Sequence, residues 1–206
     1  MFSELGLKQG MRLLDIGGGW GGVTQYCSAH ITTLTLAATG AHYIRRLISD
    51  AGLSDEVVLE DFFNHRPEQP YDHDVAFGSI EHMPDYRSSF ARDYIWRGTH
   101  TFMTVQDVIA ELLNHGFDLL RVANETRDYH LTILEWSKRL EASKEAIIAG
   151  WGEEVYRKFR LFLWGGQHAF KVNSLQAYHL VVERTAAKGP RPSTPRRIFR
   201  ALGELC

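Results

Sequence analysis

The 206-residue chain is 44% hydrophobic and 23% charged, with a formal net charge of −2. That suits one soluble α/β domain long enough to bury a core, and it excludes a global basic field for nucleic acid. Two cysteines, Cys27 and Cys206, cannot make a disulfide framework, so a reducing cytoplasm is the expected setting; no apolar run reaches the ~18 residues of a membrane span and no signal peptide precedes the first strand.

Residues 1–10 read as the end of a helix, with Leu5 and Leu7 to pack on a sheet and Gly10 to turn into the first strand. Leu13-Leu14-Asp15-Ile16 then runs into Gly17-Gly18-Gly19-Trp20-Gly21-Gly22. An apolar run, an acid and a glycine-dense turn predict a buried parallel strand, a loop and the N-terminus of a helix from Gly21 to about Ala29. Glycines there admit a ligand close to the backbone, and the helix-start N–H groups point at it. The spacing Asp15-x-Gly17-x-Gly19-x-Gly21 resembles motif I of the class I S-adenosylmethionine (SAM) methyltransferases. That resemblance implies that Gly17, Gly18, Gly19 and Trp20 take the aminoacyl part of SAM and that Asp15 places its ammonium through the loop.

Ile31–Leu36 is a second strand by its β-branched content. Thr35-Leu36-Ala37 stands where such enzymes often carry a carboxylate for the ribose, so a hydroxyl, backbone or water must serve. Ala41–Ala51 is an amphipathic helix, with Gly52 suited to its C′ position. Val57–Leu59 is a third strand; Asp61 and Phe62 after it suit the adenine amino group and ring face, against the plainer reading of a surface acid beside a core aromatic. Asp74–Gly78 is a fourth strand, followed by Ser79-Ile80-Glu81-His82.

Residues 84–101 show no convincing strand. Thr104 with Asp107 resembles a capping box opening a helix over 105–113 that Gly116 ends. Phe117–Val122 reads as a strand, Thr132 to about Ile148 as one amphipathic helix, Glu153–Phe170 as another, and Leu175–Glu183 as a last strand. His65, His73 and His115 read as surface residues, and no His/Cys spacing suits a metal. The tail from residue 186 has five basic residues against one acid and three prolines. It reads as a loosely held terminus or, alternatively, as a patch for a membrane surface or an acyl-carrier protein.

The stretch Leu7–Gly22 is similar to the motif I region of the cyclopropane-fatty-acid synthases, which with the mycolic acid cyclopropane synthases form one SAM-dependent family. Thr35-Leu36, Ser79-Ile80-Glu81-His82, Asp128-Tyr129 through Thr132 to Trp136, Tyr156–Leu163 and Leu175–Val181 resemble further signatures of that family in the same order. The resemblance covers nearly all of residues 5–184. It implies a Rossmann-like class I methyltransferase α/β fold over residues 1–185, with a helical cover from 128–170 over an acceptor pocket and residues 186–206 as a basic, Pro-rich tail. It implies SAM contacts from Asp15, Gly17, Gly18, Gly19, Trp20, Thr35, Leu36, Asp61, Phe62, Ser79 and Ile80. The implied reaction moves the SAM methyl to carbon of an unsaturated apolar acceptor, a small molecule or a lipid. Glu81 and Tyr129 match two ligands of a bound bicarbonate that serves the family as base; its His has no counterpart here, and its Cys lies upstream of motif I. Glu81 reads alternatively as a helix-capping acid, and Tyr129 as a core phenol. O- or N-methylation, and a SAM-fold cyclase or binding protein without methyl transfer, are the competing functions. About forty family residues, including a fifth strand, have no counterpart at Arg92/Asp93. Oligomeric state is left open.

Overall fold

Apolar strand residues flanked by amphipathic helices demand a sheet covered on both faces, and the first part of the chain builds one. The computed structural model describes residues 4–26, 29–79, 94–95 and 103–184, and the chain divides into two units, Met1–Met83 and Pro84–Cys206.

In the first unit, β1 (Arg12–Ile16), β2 (His30–Thr35), β3 (Glu56–Leu59) and β4 (His73–Ala76) form a parallel sheet in the order β3-β2-β1-β4, joined through α1 (Gly22–Tyr26) and α2 (Ala38–Ala51). Leu13, Ile31 and Val75 pack with Val23 and Ala29 in one cluster, while Val57 packs with Ala41 and Ile44 of α2 in another. Burial on both faces is why β1 and β2 are nearly unbroken in buried residues. Gly52 ends α2 as expected: it is left-handed, at φ +62°, its N–H donates to the Ser49 carbonyl, and the Leu53 N–H donates to the Ile48 carbonyl. The helix starts earlier than the expected Ala41, because the Thr35 hydroxyl accepts the Ala37 N–H and turns the chain directly after β2. β4 stops at Ala76, short of the expected Gly78, which has φ +60°.

His65 corrects the surface expectation, for its side chain is only 13% exposed. Its Nδ1–H donates to Glu60 at 3.0 Å, and its Nε2 accepts the Tyr71 hydroxyl at 3.0 Å. Arg12 lies over the Tyr71 ring and donates to the Gln69 and Pro70 carbonyls, fastening the β3–β4 connection to the start of β1.

The second unit holds α3 (Val105–Asn114), β5 (Phe117–Asn124), α4 (Thr126–Ala142), α5 (Lys144–Trp151), α6 (Glu153–Lys171) and β6 (Tyr178–Arg184). β5 and β6 pair antiparallel from Phe117↔Arg184 to Asn124↔Tyr178, with an irregularity between Leu119 and Arg121. Thr104 caps α3 as expected, accepting the Asp107 N–H and donating to its carboxylate. The single helix expected over 132–148 is two. α4 begins at Thr126, whose N–H donates to the Asn124 side chain, so Asp128 and Tyr129 are helical; the chain breaks at Ser143 before α5. β6 begins at Tyr178 rather than Leu175, because Ser174 and Leu175 still donate to Ala169 at the end of α6.

Glu141 joins α4 to α6, accepting from the Tyr156 hydroxyl (2.6 Å), Arg160 Nε (2.7 Å) and Trp164 Nε1 (2.9 Å). These donors, Tyr156 foremost, hold its carboxyl down at about 2. A folded-state value below the unfolded one gives stability that is complete above the ordinary glutamate range and lost as pH falls toward 2. Glu141→Gln is therefore expected to flatten the fall of the melting temperature between pH 5 and 2; an unchanged slope in thermal melts would remove this network from the acid response.

Candidate functional site

In parallel α/β sheets, ligands gather outside the carboxyl ends of the strands, and here Asp15, Gly17, Gly18, Gly19, Trp20, Thr35, Leu36, Asp61, Phe62 and Ser79 of the first unit lie at or just beyond those strand ends. After β1 the chain turns at Gly17 (φ +84°), and the Gly17 and Gly18 N–H groups both donate to the Leu34 carbonyl of β2. Those two amides are thus engaged by the neighbouring strand, whereas the Gly19 and Trp20 amides have no partner among the described residues. A Cβ on Gly17 would lie 2.5 Å from that of Ser79, and one on Gly18 would collide with the Thr33 methyl. Among the described residues nothing lies within 4 Å of the Cβ position of Gly19 (φ +51°), so there the turn is packed below and open above.

Asp15 lies under this turn. It is 2% exposed, opposite Thr33 on β2 and Val75 on β4, and the Thr33 hydroxyl points at its Oδ2 from 3.5 Å. Burial pushes its carboxyl up to about 6, partly opposed by Thr33. Thr35 is buried at the end of β2 and Leu36 beyond it is exposed. Trp20 is exposed and meets Tyr43 edge-on at 5.5 Å. At the end of β3, Asp61 accepts the Phe63 N–H, and Phe62 lies exposed against Phe63. Ser79 follows β4, and its Oγ is buried without a hydrogen-bond partner among the described residues.

Ile80 and Glu81 lie outside the described residues, as do His82 and the Arg92/Asp93 junction. Tyr129 belongs to the second unit, in the first turn of α4 with its ring 5.6 Å from that of Phe170. Two site-shaping residues are not evident from the sequence. Thr33 underlies Gly18, and Gly40 lets α2 approach the turn, since its Cβ would lie 3.0 Å from the Gly19 carbonyl. Pairing β1 with β2 in register would have exposed Thr33; Gly40 carries no comparable signal. Among the described residues no three His, Cys, Asp or Glu side chains cluster to hold a metal, and no helix is long and apolar enough to cross a membrane.

The open ground over Gly19, two unclaimed amides and an orphaned Ser79 hydroxyl above a buried carboxylate fit a polar ligand with a cationic end. The parallel order β3-β2-β1-β4 with this turn after β1 is the arrangement of the class I methyltransferase fold. The chain belongs to the mycolic acid cyclopropane synthetase family, whose model matches residues 1–92 and 84–180. It is 24% identical to the cyclopropane-fatty-acyl-phospholipid synthase of Escherichia coli K12 over 220 positions, covering 91% of this chain and 57% of that protein. It is 27% identical over 120 positions to an (S)-tetrahydroprotoberberine N-methyltransferase of Eschscholzia californica, covering 55% of this chain and 34% of the other. The crystal structure of mycolic acid cyclopropane synthase CmaA1 with SAH and CTAB superposes with a TM-score of 0.80 at 22% identity, over 89% of this chain and 81% of that one. The chain spans about half the length of curated relatives such as the E. coli enzyme.

Proposed function

We propose that the chain binds S-adenosyl-L-methionine along the carboxyl edge of β1–β4 and transfers its methyl to carbon of an unsaturated apolar acceptor. A fatty acyl chain or a polyketide- or terpene-like intermediate fits, in a cytoplasmic setting. The observation that carries the reading is the glycine turn, open above Gly19 and floored by buried Asp15. SAM, when bound, supplies an electrophilic methyl on a sulfonium, so the work of the chain is alignment and exclusion of water.

In this reading Gly17, Gly18 and Gly19 admit the aminoacyl group, with Trp20 beside it, and Asp15 holds the ammonium through the loop. The Thr35 hydroxyl and the Leu36 backbone meet the ribose, Asp61 accepts the adenine amino group, and Phe62 covers its ring. Ser79 and Ile80 contact SAM in this reading, the Ser79 Oγ donating to the ligand. Glu81 and Tyr129 act on the acceptor, where an aromatic face also stabilises the cation left when an alkene takes the methyl.

Glu81→Gln is expected to lower turnover at least tenfold while leaving the SAM dissociation constant within twofold. Equal losses of melting temperature and activity would make Glu81 a helix cap instead. Nitrogen methylation is the second reading, and the Eschscholzia relative supports it. Labelled SAM offered with dioleoylphosphatidylglycerol vesicles or with a tetrahydroprotoberberine separates the two. Label in the lipid supports carbon transfer, label in the amine supports nitrogen transfer, and SAM binding with label in neither supports a SAM-fold protein that transfers no methyl.

A further inference from the structure

The connection between β3 and β4, residues 60–72, carries Asp61 and Phe62 but has no core of its own. From Val58 to Asp72 no residue is buried, and Phe62 and Phe63 are exposed. A long connection without helix, strand or buried apolar contacts has little besides hydrogen bonds to fix its position. Here those bonds converge on one imidazole.

Residues 61–65 form a closed turn. Asp61 Oδ1 accepts the Phe63 N–H at 2.9 Å, and the Asp61 carbonyl accepts the N–H groups of Asn64 (2.9 Å) and His65 (3.2 Å). Asp61 Oδ2 has no partner among the described residues. The His65 ring ties this turn outward, with Nδ1–H donating to Glu60 Oε2 and Nε2 accepting from the Tyr71 hydroxyl, each at 3.0 Å. A carboxylate only accepts, so Nδ1 carries the proton and Nε2 is left as the acceptor. Tyr71 is held to the sheet in its turn. Its ring stacks on His65 with centroids 6.0 Å apart, and Arg12 lies 4.7 Å from its centroid. The Arg12 guanidinium donates to the carbonyls of Gln69 (2.7 Å) and Pro70 (3.0 Å), its backbone N–H donates to Asp72 Oδ2 (2.8 Å), and the Asp72 N–H donates to the Arg12 carbonyl (2.9 Å). Arg12 opens β1, so an unbroken line of contacts runs from the sheet through Tyr71 and His65 to the turn that bears Asp61.

We propose that His65 sets the nucleobase preference of the cofactor site, by holding the 61–65 turn so that Asp61 Oδ2 meets the exocyclic amino group of adenine. His65 is a positioning residue; it touches Glu60 and Tyr71 and not the base. The proposal rests on the reading of Asp61 as the adenine contact. Recognition by a single hydrogen bond needs its acceptor held to within about 0.5 Å. A turn without buried side chains drifts further than that once its brace is gone. The glycine turn after β1 does not depend on His65, so the contacts proposed there for the aminoacyl group remain. Loss of His65 therefore removes the preference for the amino group and spares the rest of the affinity.

The test titrates the full chain calorimetrically with S-adenosylhomocysteine and with the analogue that carries hydrogen in place of the adenine amino group, while thermal melts report folding. The parent is expected to prefer the amino compound by about tenfold or more, the reach of a hydrogen bond to a charged group. His65→Ala is expected to bring the two affinities to within about threefold of each other, chiefly by weakening the amino compound. A merely structural histidine would weaken both ligands alike and leave their ratio at the parent's value, and that result overturns the proposal. Tyr71→Phe removes the hydroxyl at Nε2 and keeps the ring under Arg12, so it serves where His65→Ala fails to fold. A reduced ratio at an unchanged melting temperature supports the brace, and the parent's ratio overturns it. Asp61→Ala reports on the underlying reading. Loss of the preference in Asp61→Ala, with the preference kept in His65→Ala and Tyr71→Phe, overturns the brace and leaves the adenine contact standing. Asp61→Ala with the parent's preference, or a parent chain that binds the two compounds equally or binds neither, overturns the adenine contact and the brace with it.

Discussion

Asp15→Asn is expected to bind SAM at least tenfold more weakly than the parent chain and yet to melt at a higher temperature above pH 6. The two effects have one cause. Asp15 is 2% exposed, and its polar contact is the Thr33 hydroxyl at 3.5 Å. Burial raises its carboxyl to about 6, well above the ordinary aspartate range. A raised folded-state value means that the folded chain holds the proton more tightly than the unfolded one. Stability therefore falls as pH rises from about 4 to about 6, and the penalty stays in full above that. Two pKa units correspond to roughly 3 kcal/mol. Asparagine keeps an oxygen for the Thr33 hydroxyl and removes the charge, so melts between pH 4 and 8 should lose this slope. A buried carboxylate kept at that cost needs a cation, and the SAM ammonium is the one this site is proposed to receive. A charge-assisted hydrogen bond contributes about 1.5–3 kcal/mol, or tenfold and more in affinity. Calorimetry giving Asp15→Asn the parent's SAM affinity would take Asp15 out of the site, and a lower melting temperature at pH 8 would show that the carboxylate is compensated within the fold.

Patterns that are local along the chain are legible in the residues themselves. The strand–acid–glycine run, the Thr104 cap and the Gly52 terminus each depend on residues close together along the chain, and each stands where its residues place it. Features that depend on contacts across the chain are not legible in that way. The onset of α4 at Thr126 depends on the Asn124 side chain, and the start of β6 depends on Ser174 and Leu175 still donating to Ala169. His65 reads as a surface residue because Glu60 and Tyr71 reach it only once the β3–β4 connection is folded. Likewise, the glycines announce a ligand loop, but Thr33 beneath them emerges only from the β1–β2 register. The expected gap at Arg92/Asp93 lies outside the described residues.

Gly18 and Gly19 are neighbours, and substituting them is expected to fail in opposite ways. At Gly18→Ala the new methyl would collide with the methyl of Thr33, which is fully buried, and would lie 3.0 Å from the Asp15 carboxylate. Thr33 has no room to yield, so β1 and β2 must separate locally; overpacking of this kind costs about 1–3 kcal/mol. The expected result is a melting temperature lower by several degrees, with any loss of SAM affinity following from that. Gly19 differs on both counts. It has φ +51°, which asparagine adopts more readily than other side chains, and the space a Cβ would enter is empty for 4 Å. Gly19→Asn is thus expected to fold with a melting temperature close to the parent's. Its side chain would stand where the aminoacyl group is proposed to lie, so SAM affinity should fall more than tenfold. Gly19→Asn with unchanged SAM affinity would place the ligand elsewhere along the sheet edge, and Gly18→Ala with an unchanged melt would mean that Thr33 can move aside.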